Sequence, residues 1–228
     1  MSQYQYEYPR HHVAVDCIIF GYEEESLKIL LSHRRFKPAE GEWSLVGGWV
    51  KDDESAEQAA TRVLKEVTGM QDIFLEQVQA FSTPERDPGG RVISIAYYGM
   101  IRIDKQDRDL SEKHGTEWIA LENRPPLVFD HDQMVRAAHE KIKLKASYEL
   151  LGQDLLPSKF TILQLRNLYE TVFQKKLDPG NFRKKVLSLS ILQKQKEKNT
   201  TDSKKGAYYY TFARVDENPI KDIIIKPF

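Results

Sequence analysis

Between Gly48 and Met70 the chain reads GWVKDDESAEQAATRVLKEVTGM, and no other stretch limits the fold as tightly. The approach to it, GEWSLVGGWV, is Gly-punctuated and reads as a loop with short extended pieces. From Glu54 to about Thr68, alanines and the stripe Val63, Leu64 and Val67 give helical periodicity, and Gly69 ends it. Helical spacing places positions 63, 66 and 67 on one face. That face carries a single carboxylate, Glu66, between two valines. Magnesium requires several oxygen ligands in octahedral array, so this surface is not expected to gather a metal, and no cofactor is expected.

Around this stretch, strand and helix signals alternate. HHVAVDCIIFGY and LKILLSHRRF are β-rich runs joined by the acidic turn EEES, a hairpin pattern. IFLEQVQAFST and RVISIAYYGMIR are two more strands, linked by PERDPGG, and TEWIAL is a short one. The prolines of ENRPPLVF keep it a loop, and DHDQMVRAAHEKIKLKASYELL is a long helix capped by Asp130 or Asp132. The only cysteine, Cys17, lies in a strand-like run, which excludes disulfides within the chain and cysteine-based zinc sites. The N-terminal residues lack the apolar core of a signal peptide, and no apolar run approaches a membrane span; a cytoplasmic protein is expected.

The formal net charge of +0 hides a division. Residues 1–150 hold 19 Lys and Arg against 26 Asp and Glu; residues 151–228 hold 15 against 8. The basic part begins PSKFTILQLRNLYETVF, with Thr161 as N-cap and Ile162, Leu165, Leu168, Tyr169 and Val172 recurring at helical steps. After the turn QKKLDPG a second amphipathic helix, NFRKKVLSLSIL, turns Phe182, Val186, Leu187 and Leu189 inward. QKQKEKNTTDSKKGAYYYTFARV supplies two short strands around a basic tip, and Tyr208, Tyr209 and Tyr210 alternate on the returning one. Helix, turn, helix and hairpin make a winged helix-turn-helix. Its second helix exposes Asn181, Arg183, Lys184, Lys185 and Ser188, groups that can reach base edges and phosphates from the major groove. Thr161 and Gln164 on the first helix, and Lys194, Lys196, Lys198, Lys204 and Lys205 on the wing, are further candidates for backbone contact.

The opening stretch resembles the Nudix box: glycine, five residues, Glu, seven residues, then Arg-Glu-x-x-Glu-Glu-x-Gly. Gly48, Glu54, Arg62, Glu66 and Gly69 match it; Val63 and Val67 stand in place of its metal-ligand glutamates. LVGG before it resembles the usual Leu-Pro-Gly-Gly, with Val46 for proline. The resemblance implies a Nudix α/β/α sandwich over roughly residues 8–145, in which Glu54 and Arg62 pair to fix the loop on the helix. It also implies a cleft that has lost its catalysis. Arg34, Arg35, Glu42, Trp43, Glu85, Arg86 and Asp87 are the candidates to line it, with Trp43 able to stack on a sugar or base and the ionic groups able to hold hydroxyls or phosphates.

LRNLYE and DPGNFRKK resemble the C-terminal domain of the Nudix-related transcriptional regulators of the NrtR type, so the similarity covers nearly the whole chain. The expected fold is α+β, with residues 1–150 an effector-binding and dimerisation domain and residues 151–228 a winged DNA-binding domain. The family implies a homodimer on a palindromic operator in double-stranded DNA, commonly as a repressor, with a small-molecule effector. Without a magnesium face, the expected effector is a pentose sugar such as L-arabinose; the alternative is ADP-ribose, in a regulator of NAD metabolism. Two other readings stand beside it. One is an active hydrolase of ADP-ribose or nucleoside diphosphate sugars, with Glu54, Glu66 and a further acid such as Glu85 rebuilding the site. The other is an RNA-binding or protein-docking module.

Overall fold

The computed structural model describes residues 10–189, 191–200 and 206–213. Its centre is a sheet of seven strands: β1 (His12–Glu23), β2 (Ser26–His33), β3 (Trp43–Ser44), β4 (Val46–Trp49), β5 (Glu76–Phe81), β6 (Val92–Arg102) and β7 (Thr116–Ala120). The long β1 organises it. One edge of β1 runs parallel to β6 from His12–Val92 to Tyr22–Arg102; the other edge is shared, β4 pairing with Ala14–Cys17 and β2 with Phe20–Glu23. All other pairings are antiparallel.

Both faces of β1 are covered, which is why HVAVDCIIFGY reads as a nearly continuous apolar run. Val15, Cys17 and Ile19 face α1 (Ala56–Thr68), in a core with Ala59, Ala60, Val63 and Leu64. Ile18, Phe20 and Tyr22 face the other way, towards Met134, Val135, Ala138 and Ile142 of α3 (His131–Tyr148). The result is the α/β/α sandwich that the sequence implied. A short helix between β6 and β7, α2 (Lys105–His114), has no counterpart in the sequence reading; it is capped at Asp104 and ends at Gly115 in the left-handed region. Its exposed, charge-rich sequence offers almost no apolar stripe to detect. Among the described residues, no helix is long and apolar enough to cross a membrane.

Helix ends follow local chemistry. α1 begins two residues after Glu54: Ser55 accepts from the Gln58 amide, and Gln58 returns the bond, a capping box. Asp130 occupies the N-cap position of α3 but makes no capping bond, because its carboxylate is held by Arg86; Asp132 instead accepts from the Leu127 amide.

The remaining elements are α4 (Ile162–Phe173), α5 (Pro179–Ser188) and the hairpin of β8 (Leu192–Asn199) with β9 (Ala207–Phe212), a winged helix. Thr161 caps α4 in a second capping box with Gln164, and Asp178 caps α5, whose Pro179 fits the first turn. α5 stops at Ser188, three residues before β8, and the expected inward set needs correction: Phe182 and Val186 are buried, whereas Leu187 is 38% exposed and Leu189 only half-buried. Phe182 and Val186 share one helix face at i and i+4, and position 187 is turned about 100° off it, away from the core. Of the three tyrosines, Tyr210 is buried and the other two half-buried.

The winged helix is not a separate bead. The apolar cluster on the α3 side of the sheet continues without a break through Leu155, Leu156 and Phe160 into Leu165, Tyr169, Phe182 and Tyr210. Polar contacts reinforce it. The buried His139 of α3 bonds the Val172 carbonyl of α4 at 2.8 Å, and Thr171 donates to the Glu25 carbonyl at 3.0 Å.

Candidate functional site

Two surfaces carry the groups singled out above: a cleft beside α1, and the exposed side of α5 with the wing.

The cleft, of about 170 Å3, lies among the strand ends of β1, β2 and β4, the C-terminal part of α1 and the first turn of α3. The box forms one wall. Arg62 donates to both Glu54 oxygens, at 2.8 Å from Nε, and to the Trp49 carbonyl at 2.9 Å, so the loop is riveted to the helix as expected. The Arg62 hydrogen bonds, helped by the Lys51 amide, hold the Glu54 carboxyl down at about 2, and the same contact raises the guanidinium further. Gly48 has a packing reason: a Cβ there would lie 2.8 Å from the Val63 side chain. Val63 is 2% exposed beneath that glycine and does not reach the cleft, whereas Val67 and Glu66 do. Glu66 is drawn aside to Arg62 at 2.9 Å. Among the described residues, no three His, Cys, Asp or Glu side chains gather as a metal site. The residues of this face do not fit a magnesium cluster.

The floor is a buried ionic cluster that the sequence reading found only in part. Arg86, its side chain 2% exposed, makes a two-pronged bond to Asp130 at 2.9 and 2.7 Å and lies 3.9 Å from Asp16. Asp16 accepts from Ser94 at 2.5 Å. His131 accepts at Nδ1 from the Leu45 amide at 3.2 Å, and its Nε2 faces Asp16 Oδ1 at 3.7 Å. Burial pushes the His131 pKa down, against the opposing pull of Asp16 and Asp130, which favours the neutral ring. Of the expected lining residues, Arg34, Arg35, Arg86 and Asp87 meet here. Arg34 is sandwiched between Phe36 and Phe129 at 4.6 and 4.9 Å, and Arg35 donates to the His114 carbonyl.

Glu42, Trp43 and Glu85 lie outside the cleft lining. Glu42 and Glu85 are exposed, and Trp43 stacks on His33 at 3.8 Å with its other side against the core. Asp16, Asp130 and His131 were missed because they are embedded in elements that read as structural: a mid-strand acid in an apolar run and the start of a helix. The polar break at Asp16 inside VAVDCIIF was the one available signal.

On the second surface, Asn181, Arg183, Lys184 and Ser188 stand exposed along α5, and Lys185 is half-buried. Thr161 and Gln164 are spent on their capping box, Thr161 being 1% exposed, so they serve the helix end. On the wing, Lys194 and Lys198 sit over the Tyr208 ring at 3.6 and 4.7 Å, which spreads their charge along one face, and Lys196 is exposed. Lys204 and Lys205 lie outside the described residues.

A Nudix sandwich continued into a basic winged helix defines a two-module regulator architecture. The comparisons agree with both modules: residues 10–138 match the NUDIX domain, and residues 152–212 match the NrtR DNA-binding winged helix domain. The chain belongs to the NrtR-type family of Nudix-related transcriptional regulators. It is 30% identical, over 95% of its length and 88% of the relative's, to the ADPR responsive transcriptional repressor NtrR of Acinetobacter baylyi. Its structure resembles that of Shewanella oneidensis NrtR complexed with a 27mer DNA, with TM-score 0.74 and 28% identity over 88% of this chain and 93% of that one. It also resembles the NUDIX domain of the same protein complexed with ADP ribose, with TM-score 0.54 and 27% identity over 61% of this chain and 94% of that one. The pentose effector expected from the sequence finds no support among these relatives, whose names and ligands point to ADP-ribose; that expectation is corrected. It rested on taking an apolar face at positions 63 and 67 as incompatible with a diphosphate ligand.

Proposed function

We propose that this protein is a transcriptional repressor that binds a palindromic operator as a homodimer, through α5 and the wing, and responds to ADP-ribose held in a cleft without hydrolytic activity. The observation that carries the reading is the 30% identity, along nearly the entire chain, to a repressor named for its response to ADP-ribose. The cleft supports the effector half. Arg34 and Arg35 offer guanidinium groups suited to a diphosphate at the rim, and exposed Phe36 and Trp49 offer faces for a base. The box supports the non-enzymatic half: Glu66 pairs with Arg62, Val63 is buried, and among the described residues no carboxylate set is placed to hold magnesium against a diphosphate. We take residues 1–150 as the effector and dimerisation domain and residues 151–228 as the DNA-binding domain, in the cytoplasm.

The test is fluorescence anisotropy with duplex DNA from the protein's own upstream region, titrated with ADP-ribose and, in parallel, with L-arabinose. ADP-ribose should shift operator affinity and the pentose should not. A double-stranded RNA competitor should leave the complex intact. Incubation with Mg2+ and ADP-ribose should give no turnover; a rate near about 1 s−1, the range of ordinary enzymes, defeats the non-enzymatic reading.

A further inference from the structure

The floor of the cleft holds two polar atoms that face one another across a gap neither can close. His131 Nδ1 accepts from the Leu45 amide, so the ring proton sits on Nε2. Nε2 lies 3.7 Å from Asp16 Oδ1, beyond hydrogen-bonding distance. The other Asp16 oxygen takes the Ser94 hydroxyl, and Arg86 is committed to Asp130. Among the described residues, Oδ1 has no donor within reach. Both side chains are more than nine-tenths buried, His131 being 4% and Asp16 6% exposed, and both line the cleft. Gly47 keeps the oxygen open, since a Cβ at that position would lie 2.3 Å from Oδ1.

Resting on the reading above, we infer that this pair is a hydroxyl subsite: a sugar hydroxyl of the effector accepts from His131 Nε2–H and donates to Asp16 Oδ1. The chemistry selects the group. A hydroxyl is both donor and acceptor and can satisfy both atoms at once. A phosphate oxygen satisfies the histidine but meets the Asp16 carboxylate, in a cluster where two aspartates face one arginine. A metal cation is opposed by the inward N–H. The floor therefore takes the neutral, hydroxylated end of the effector and leaves its phosphates to Arg34 and Arg35. A site built around a hydroxyl rejects a ligand that lacks it, because its buried groups are then left unpaired.

Calorimetric titration of the full chain with ADP-ribose and with ADP, which lacks the terminal sugar, tests this. Wild type should bind ADP-ribose at least about tenfold more tightly than ADP. Asp16→Asn puts an amide donor or a neutral acceptor where the carboxylate stood and should bring the two ligands within about threefold. A folded Asp16→Asn that keeps the wild-type ratio overturns the subsite. Should that variant fail to fold, the wild-type ratio decides alone, and a value near one overturns it. Equal binding of both ligands, with operator affinity still shifted by ADP-ribose, removes the subsite and spares the repressor reading. No binding of ADP-ribose and no shift in operator affinity remove both.

Discussion

Arg86→Met probes the cluster that floors the cleft. The Arg86 side chain is 2% exposed and forms parallel bonds of 2.9 and 2.7 Å to Asp130, with Asp16 at 3.9 Å. At an effective dielectric constant near 20, unit charges about 3 Å apart attract by roughly 5 kcal/mol before the desolvation of both is counted. Methionine fills much the same volume, so cavity formation is a minor part of the loss. The dominant effect is two carboxylates left in the interior without a cation, which costs about 3–5 kcal/mol. Against a total stability of about 5–15 kcal/mol, that is a large share. Urea unfolding followed by circular dichroism at neutral pH should show this as a lower midpoint with an unchanged slope. Arg86→Met combined with Asp130→Leu removes both members of the closest pair and should recover about 2 kcal/mol, giving a coupling in the range found for contacting residues. A single-variant loss below about 1 kcal/mol, or zero coupling in the cycle, refutes the view that ion pairing holds the floor in place.

Arg183→Ala should weaken operator binding by about 1–3 kcal/mol and relax specificity, while Lys184→Ala should weaken all sequences alike and reduce the salt slope by roughly one unit; anisotropy at several salt concentrations separates them. Burial lowers the His139 pKa below its ordinary 6.5, so the neutral form is favoured in the fold. The stability this contributes is fully present above 6.5 and is lost as pH falls below it, and His131 adds in the same direction. His139→Phe should flatten the decline of urea midpoints in that window; an unchanged decline shows that His139 does not drive it. Val63→Glu puts a carboxylate at a position 2% exposed and should cost several times more than Val67→Glu at the half-buried cleft wall, where about 1 kcal/mol or less is expected. Equal losses in thermal unfolding contradict the assigned burial.

Most of the fold was legible because periodicity and end signals agreed. The strands around Cys17, the helix ending at Gly69 and the Thr161 cap all follow from residue types at fixed spacings. α2 was not, since a helix with ten mostly charged residues shows no face. The cleft was legible only at its rim. Arg34, Arg35, Arg86 and Asp87 lie in loops or at strand ends, where polar residues attract notice. Asp16 and His131 are brought together by the crossing of β1 and α3, which no local pattern encodes. Trp43 misled in the opposite sense: an aromatic beside a glycine loop reads as a binding face, but register with β2 stacks it on His33.

α3 contributes His131 to the cleft floor in its first turn and His139 to the Val172 carbonyl two turns later, about 12 Å along the same rod. A single stiff element is thus clamped at one point by the cleft and at another by the winged helix. Neither end can be redesigned alone. A change that tilts the rod to suit a new ligand also re-aims the winged helix.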